Sequence, residues 1–519
     1  MLRIENAFVA DGIGREPFRA SVLVDGGNIL AVSREKLAGF SGSDTVDAKK
    51  MVLAPGFIDV HGHSDLSLLV APEGQSKVSQ GITTEIAGNC GLSAFPLTAN
   101  NREHLSELYA NYRRELDWSD YPSYCRRLRA AGIKMRLDCL CGHNTLRAAV
   151  AGYETKTLTG KQLDEMERLL DAALDSGAKG LSSGLLYIPG KFADDDEIVR
   201  LLKVVAAHGG VYATHLRSEG DRLLESLAET IECARRAGLK KLQISHLKTA
   251  GKANWGKLAA ALSLIEYARR DGIDINVDRY PYTESMTQLS VILPPPWDDL
   301  GDAEIQQRLR SPEEKVRLTE ALREYKAPGY WQSVRLAATD APRYRDKCGR
   351  RFSELGDDPA RTAVEILAAD APSSCGAFSG MCEENLKRIL DLDYCMPGSD
   401  GNALPADGSL GRSHPRSFGA IAKFMRLRLD ATGSVTEAVE RAATLPARVF
   451  SLDDRGIVAP GYAADLVLFD PDEIDSPADF ATPNATARGI ALTVCRGKIV
   501  WRSCRMKPPR QNRIQNLQI

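Results

Sequence analysis

The stretch PGFIDVHGHSDL, residues 55–66, places two histidines one residue apart directly after an apolar run. The whole chain has only eight histidines. Successive side chains of a strand point to opposite faces, so His61 and His63 are expected to point the same way. Two imidazoles on one face suit a divalent metal ion. By itself the pair also fits two histidines in a surface loop.

The composition around this stretch is that of a globular protein. The chain has 519 residues, of which 43% are hydrophobic, and can bury a large core. Lys+Arg 67 against Asp+Glu 69 lacks the basic excess of an electrostatic nucleic-acid binder. No apolar run has the length of a membrane span, and no signal peptide is visible. Eleven scattered cysteines predict reduced thiols, and we therefore expect a cytoplasmic protein without nucleic-acid or membrane partners.

Between residues 54 and 447, strand-like runs alternate with amphipathic helices. The eight strand candidates are VLAPGFIDVH, GITTEIAGN, MRLDCLCGH, AKGLSSG, GVYATH, KLQISH, DINVDRYPY and DYCMPGSD. This alternation predicts an α/β fold, with a (β/α)8 barrel of TIM type favoured over a doubly wound sheet.

Two further regions flank or interrupt the barrel. Short strands separated by Gly and Pro at both chain ends predict a small β-sandwich domain built from residues 1–53 and 448–505. The segment from about 286 to 345 breaks the rhythm, and we expect an insertion near the barrel mouth there. Residues 506–519 are polar and basic, which is typical of a tail.

Four other potential metal ligands follow predicted barrel strands. They are Cys90 in GNCG, His215 in THLRSE, His246 in ISHLK and Asp400 in GSDG. In a TIM barrel the carboxyl ends of the strands form the active site, so these side chains should meet the first two histidines. A set with nitrogen, sulfur and oxygen donors favours zinc over calcium or magnesium.

These motifs resemble the N-acyl-D-amino-acid deacylase (D-aminoacylase) family of the amidohydrolase superfamily. The matching segments span nearly the whole chain in order: PGFIDVHGHSD, GNCG, GLSSGLLYIPG, THLRSE, SHLK, DRYPY, GSDG, SHPRSFG, LPARVFSLDDRG and GYAADLVLFDP. The resemblance implies a metal-dependent barrel with a flanking β-sandwich. It implies metal ligands at His61, His63, Cys90, His215, His246 and Asp400.

The resemblance also implies how the metal would be shared. One tight Zn²⁺ would rest on Cys90, His215 and His246, and a second, weakly occupied position would use the paired histidines of the first strand. Cys90 would bridge where many superfamily members use a carboxylated lysine. Lys179 is the rival for that role, but it lies at the start of its predicted strand, so we expect it to face solvent.

The resemblance implies hydrolysis of the amide bond of an N-acyl-D-amino acid, or of a related N-acyl amide, to a carboxylate and a free amine. Zinc lowers the pKa of its water to about 7 and polarises a carbonyl oxygen. A carboxylate must then take a proton from the water and return it to the leaving amine. Asp400 is the candidate general base and acid.

A substrate with a free carboxylate should meet a fixed cation. The resemblance assigns this contact to Lys248. The further substrate-binding candidates are Tyr187, Tyr280 and Tyr282 as phenol donors or pocket walls, Arg416 as an anion partner or loop support, and His143 at the pocket edge.

The run TESMT after YPY departs from the family, which commonly has small residues there. Met286 stands where the family often offers a serine hydroxyl, and Glu284 adds a negative charge. The departure keeps two alternatives open: a cyclic-amide hydrolase of the hydantoinase or dihydroorotase kind, and a specialised biosynthetic amidohydrolase. A non-catalytic scaffold is disfavoured because all the ligands are present. The pattern selects no oligomeric state, acyl chain, side chain or stereochemistry.

Overall fold

The computed structural model describes residues 1–35 and 44–504, so the predicted tail at 506–519 lies outside the described residues. The strands are β1 Leu2–Val9, β2 Phe18–Asp25, β3 Asn28–Ser33, β4 Asp44–Asp47, β5 Val52–Pro55, β6 Phe57–Asp59, β7 Ile82–Ala87, β8 Arg136–Cys139, β9 Cys141–Gly142, β10 Gly180–Gly184, β11 Val211–His215, β12 Lys241–Ile244, β13 Asp274–Arg279, β14 Glu284–Gln288, β15 Val334–Ala338, β16 Cys375–Ser379, β17 Cys395–Pro397, β18 Leu466–Phe469, β19 Ile490–Cys495 and β20 Lys498–Arg502.

The helices lie mostly between the barrel strands. They are α1 Ser67–Val70, α2 Gln75–Val78, α3 Arg102–Leu108, α4 Tyr121–Ala131, α5 His143–Ala151, α6 Gly160–Asp175, α7 Asp195–Ala207, α8 Leu223–Ala237, α9 Leu258–Arg270, α10 Asp302–Arg308, α11 Pro312–Tyr325, α12 Pro359–Asp370, α13 Glu383–Leu390, α14 Arg416–Thr432, α15 Val435–Val439 and α16 Leu445–Val449. Within the described ranges, no helix has the length and apolarity needed to cross a membrane.

Parallel strands form the barrel. One sheet has the order β6-β7-β8 and another the order β17-β13-β12-β11-β10-β9. Only Leu140 separates β8 from β9, and its amide continues the ladder to the carbonyl of Ala87 at 2.9 Å. The ring closes beyond β6 and β17, where Gly62 pairs in parallel with Gly401. The predicted (β/α)8 fold is confirmed, with β8 and β9 sharing one of the eight strand positions.

The first predicted strand, VLAPGFIDVH, is two strands in the structure. β5 pairs with β1 and β18 of the terminal sheet, whereas β6 pairs with β7 of the barrel. The chain changes sheets at Pro55 and Gly56. A Cβ on Gly56 would lie 2.2 Å from Oγ1 of Thr83, so the crossing requires glycine.

Both chain ends contribute to one eight-stranded sheet. Its order is β20-β19-β18-β5-β1-β2-β3, with β4 beside β1. Ile4 and Val22 from the N-terminal strands share a buried core with Leu466 and Leu492 from the C-terminal strands. The two chain ends therefore share one sheet and one core.

A smaller antiparallel sheet interrupts the barrel between β13 and β17. Its order is β14-β16-β15, and α10, α11 and α12 pack with it around a separate core that includes Leu318, Leu336 and Ile366. This unit begins at Glu284 and continues to Ser379, beyond the expected end near residue 345. The extension follows from sheet order, because the central strand β16 is the last of the three in the chain.

Candidate metal centre

The six predicted metal ligands converge at the carboxyl ends of five barrel strands. His61 and His63 follow β6, Cys90 follows β7, His215 ends β11, His246 follows β12 and Asp400 follows β17. Parallel strands bring all their carboxyl ends to one face of the barrel, which explains why residues far apart in sequence meet here.

The donor atoms form two groups that share one thiol. We call His61, His63, Cys90 and Asp400 the seam cluster, and Cys90, His215 and His246 the second cluster; the ligand atoms within each lie within 4.8 Å of one another. Sγ of Cys90 is 3.3 Å from Nε2 of His61 and 3.5 Å from Nε2 of His246. Cys90 therefore lies where a bridging ligand would lie.

Three of these donors have left-handed backbone conformations. The φ angles are 53° at Cys90, 35° at His246 and 49° at Asp400. Side chains with a Cβ rarely adopt such angles, and the cost is tolerated where surrounding contacts enforce them. Here the His246 amide donates to Oδ1 of Asp278 at 2.9 Å, and the Asp400 amide donates to the carbonyl of His61 at 2.6 Å.

The donor set fits zinc. His215 is only 5% exposed, yet neither ring nitrogen has a hydrogen-bond partner among the described residues; Nε2 lies 3.5 Å from a carboxylate oxygen of Glu219. Buried polar atoms are normally hydrogen bonded, so an imidazole left in this state beside a thiol and a second imidazole calls for a metal. Histidine nitrogen, cysteine sulfur and carboxylate oxygen are the ligands that zinc prefers.

Charge in the site favours the ligating forms of the side chains. Burial alone would raise the pKa of Cys90, but the neighbouring His61 and His246 hold it well below its usual range. Burial would likewise raise the pKa of Asp400, but Arg416 and His63 hold it far below that of an ordinary carboxyl. A thiolate and a carboxylate are the forms that bind metal.

Two carboxylates missed in the sequence orient the imidazoles. Oδ1 of Asp278 is 3.1 Å from Nδ1 of His61, and Oε1 of Glu219 is 2.9 Å from Nδ1 of His246. A carboxylate on the nitrogen away from a metal fixes the ring and raises its basicity. The sequence offers only a weak indication of either role: Glu219 follows His215 by four residues, and Asp278 lies near the end of β13.

The two predicted cations both lie beside the clusters. Nζ of Lys248 is 2.5 Å from Oε1 of Glu219 and 2.9 Å from Nδ1 of His246. Nη1 of Arg416 is 2.9 Å from Oδ2 of Asp400. Arg416 also donates a hydrogen bond to the carbonyl of Met286 in β14 at 3.3 Å.

The sequence profile of the amidohydrolase family matches residues 44–330 and 405–501. The chain belongs to the amidohydrolase family. It is 33% identical over 506 residues to N-acyl-D-glutamate deacylase of Alcaligenes xylosoxydans xylosoxydans, covering 96% of this chain and 93% of that protein. It is 31% identical over 505 residues to D-aminoacylase of the same organism, covering 96% and 94%. The predicted family membership is confirmed.

A solved structure agrees with this assignment. N-acyl-D-glutamate deacylase from Bordetella bronchiseptica, complexed with zinc and a phosphonate inhibitor that mimics the tetrahedral intermediate, superposes with a TM-score of 0.80 at 30% identity. The match covers 96% of each chain, so it includes the barrel, the terminal sheet and the insertion of this amidohydrolase.

Two predicted tyrosines border the clusters of the amidohydrolase. The ring of Tyr187 packs edge-on against His215 with centroids 5.0 Å apart, and its hydroxyl is 3.2 Å from Oγ1 of Thr287 in the insertion. Tyr280 is 1% exposed, and among the described residues its hydroxyl has no hydrogen-bond partner. The guanidinium of Arg416 lies 4.7 Å from its ring, which places Tyr280 next to the partner of Asp400.

Two other predicted site residues have partners elsewhere. The ring of Tyr282 packs edge-on against His414 with centroids 5.4 Å apart and lies 4.3 Å from Nζ of Lys423, because the chain turns after β13 and strand alternation ends. Nε2 of His143 is 2.7 Å from Oε1 of Glu197, and within the described ranges no contact joins it to either cluster. Lys179 directly precedes β10, at the opposite end of that strand from the clusters.

The TESMT segment, residues 283–287, contacts the site mainly through its main-chain atoms. The carboxylate of Glu284 pairs with Arg335 at 3.0 Å and with Arg351 at 3.5 Å, which neutralises the added charge. Its carbonyl accepts a hydrogen bond from Nε2 of His414 at 3.1 Å. Arg416, the ion-pair partner of Asp400, donates to the carbonyl of Met286. The strand β14 is therefore joined to the site through two main-chain carbonyl oxygens.

Proposed function

We propose that this amidohydrolase is a zinc-dependent N-acyl-D-amino-acid deacylase, which hydrolyses the amide to a carboxylate and a free D-amino acid. The observation that carries the proposal is the pair of donor clusters that share Cys90 beside an ionised Asp400. The proposal is supported by the alignment of 96% of the chain with deacylases of this substrate class and by the zinc in a related deacylase structure.

The second cluster would hold the tight zinc, and His61 and His63 would hold a second, weakly bound ion. When bound, zinc polarises a carbonyl oxygen and acidifies water. The protein contributes preorganised imidazoles, a thiolate and a largely buried site, in which electrostatic interactions are stronger than in bulk water.

Asp400 would move the proton. Arg416 holds its Oδ2, while Oδ1 lies 3.1 Å from Nε2 of His63 and faces the cluster. Oδ1 would take a proton from the attacking water and return it to the leaving nitrogen as the C–N bond breaks, so one carboxylate serves as base and then as acid.

The substrate carboxylate would be received by Lys248 and Tyr280. Lys248 is 5% exposed and carries a fixed positive charge next to His246. The free phenol of Tyr280 is a hydrogen-bond donor in the same region, and Lys248 is the leading charge that lowers its pKa against the effect of burial. A buried cation and donor are the partners that a carboxylate needs.

The position of Lys179 argues against a cyclic-amide hydrolase that relies on a carboxylated lysine. Along β10 the clusters lie at the far end of the strand, about 16 Å away at the usual rise per residue. Cys90 instead lies between His61 and His246, where a bridging group is needed. The presence of every donor likewise disfavours a non-catalytic scaffold.

A hydrolysis screen with metal analysis tests the proposal. The purified protein should contain zinc and cleave N-acyl-D-amino acids in preference to their L enantiomers. Cys90→Ala should lose the tight zinc and the activity. Cys141→Ala is a matched control, because Cys141 is a buried thiol in β9 outside both clusters. Silence on every N-acyl amino acid, with turnover of a cyclic amide, would refute the proposed function.

We further infer that the enzyme acts in the cytoplasm. All eleven cysteines are free thiols in the structure, which fits a reducing compartment. Cell fractionation checks this inference, and recovery outside the cytoplasm would contradict it.

A further inference from the structure

A lysine that no sequence argument singled out lies beneath the seam cluster. Lys77 in α2 is fully buried. Its Nζ is 2.7 Å from Oδ2 of Asp59, 2.9 Å from Oε2 of Glu85, 2.8 Å from Oγ of Ser399 and 2.9 Å from the carbonyl of Gly401. Such burial excludes contact with substrate, so any role in the reaction acts through other residues.

Asp59 and Glu85, the two carboxylates bound to Lys77, form hydrogen bonds on both sides of the paired histidines His61 and His63. Asp59 precedes His61 by two residues, and its Oδ1 accepts the His61 amide at 3.3 Å. Glu85 accepts the amide of Ser64 at 2.9 Å and its hydroxyl at 2.7 Å. The segment with the two imidazoles is therefore hydrogen bonded at its beginning and at its end.

The same group of side chains flanks Asp400. Ser399 donates its amide to Oδ1 of Asp59 at 2.8 Å and its hydroxyl to Oδ2 at 2.6 Å. Gly401, on the other side, has its carbonyl on Lys77. Hydrogen bonds thus fix both residues next to Asp400, Ser399 before it and Gly401 after it. These contacts account for the left-handed backbone conformation of Asp400.

The turn of Cys90, the ligand that both clusters share, is supported by a different residue. The turn that carries Cys90 is held by Ser182 in β10, whose hydroxyl accepts the Gly91 amide at 3.0 Å and donates to the carbonyl of Gly88. Among the described contacts of Lys77, none reaches that turn, His215 or His246. The contacts of Lys77 are therefore confined to the half of the site that holds the paired histidines and Asp400.

We propose that Lys77 is the positioning residue of the seam cluster. It locks the spacing between the paired histidines and Asp400, and so sets the affinity of this half of the site for a divalent metal without changing the other half. The inference rests on the proposed metal dependence, and it predicts that the half with the paired histidines and Asp400 can be weakened without the other.

Zinc titration of the metal-free full-length protein tests this, with no substrate present. Calorimetry resolves the two binding steps, and Co²⁺ gives a thiolate absorption band that reports Cys90. Lys77→Met should weaken the weaker step by about tenfold or more, as loss of a hydrogen-bond partner behind a ligand typically does, and leave the tight step unchanged. Ser182→Ala, the matched control, loosens the turn of Cys90, which both clusters share, and should therefore weaken both steps.

A second variant covers loss of folding. Lys77→Met leaves Asp59 and Glu85 unpaired in the core, which is strongly destabilising. Ser399→Ala removes only one hydroxyl of the same group and should weaken the same step with normal circular dichroism. Equal weakening of both steps by Lys77→Met or Ser399→Ala, no change in either of these variants that folds, or a single step in the wild-type protein would overturn the proposal.

The outcome is distinguishable from failure of the proposed function. A protein that binds two zinc ions in this pattern but cleaves no N-acyl-D-amino acid would contradict the activity alone. A deacylase in which Lys77→Met or Ser399→Ala weakens both steps together would contradict the role of Lys77 alone.

Discussion

Replacing Arg416 by glutamine should shift the acidic limb of the pH–rate profile to higher pH. Nη1 of Arg416 lies 2.9 Å from Oδ2 of Asp400, and the two side chains are 7% and 12% exposed. Burial would raise the pKa of Asp400, and Arg416 is the strongest of the charges that lower it well below the usual value. A base is active when ionised, so a lowered pKa keeps Asp400 active towards lower pH.

The expected shift follows from this single contact. An arginine next to an aspartate typically lowers the carboxyl pKa by about 1–3 units, and each unit corresponds to about 1.4 kcal/mol. Removing the guanidinium should raise the pKa of Asp400 by a similar amount. Below the new pKa, kcat/KM should then fall about tenfold per pH unit, because only the ionised carboxylate accepts a proton.

The assay is kcat/KM for an N-acetyl-D-amino acid measured against pH, with zinc content determined at each point. Arg416→Lys is the matched control, because it keeps the charge near Asp400 but not the second donor to the Met286 carbonyl. It should retain the acidic limb. A uniformly lower profile in Arg416→Gln, with its limb unmoved, would refute the electrostatic argument and leave Arg416 as a loop support.

Lys248→Ala should lower kcat/KM at least about tenfold for substrates with a free carboxylate, since hydrogen bonds to charged groups contribute about 1.5–3 kcal/mol. The carboxamide analogue of the substrate serves as control, and equal loss on both would remove Lys248 from the carboxylate contact. Gly62→Ala should destabilise the fold by about 1–3 kcal/mol in urea unfolding, because the new Cβ would lie 2.1 Å from the buried Cδ of Glu85. Gly160→Ala, with open space around it, should be at least as stable as the wild type; equal stability of both variants would contradict the packing argument.

The sequence predicted the barrel and the donor positions because both depend on local pattern. A run such as VYAT followed by His215 shows an apolar strand and a polar residue at its end within a few positions. The division of the first predicted strand at Gly56 is not predicted, because it does not depend on local pattern. Membership of two different sheets is decided by hydrogen bonds to β7 and β18, which no local pattern contains.

Several side-chain assignments needed the folded chain. Tyr282 follows Tyr280 by two residues and would share its face on a strand, but a turn after Arg279 directs its ring to His414 and Lys423. His143 follows a strand as the donors do, yet Glu197 binds its ring. Strand periodicity ends with the strand, so it does not predict directions in the loops beyond it.

By itself the sequence determined which residues could bind the metal, since cysteine and histidine are few and their places after strands are distinctive. Only the tertiary structure decided what holds them. The supporting residues are acidic groups, two serines and a lysine, and a chain with 69 Asp and Glu residues gives no reason to select Asp278, Glu219 or Asp59. Lys77 and Ser399 are 322 residues apart in the chain, and they meet because closing the barrel joins β6 to the strand that ends before Asp400. Such contacts depend on distance in space, and the burial that makes them strong exists only once the barrel has closed.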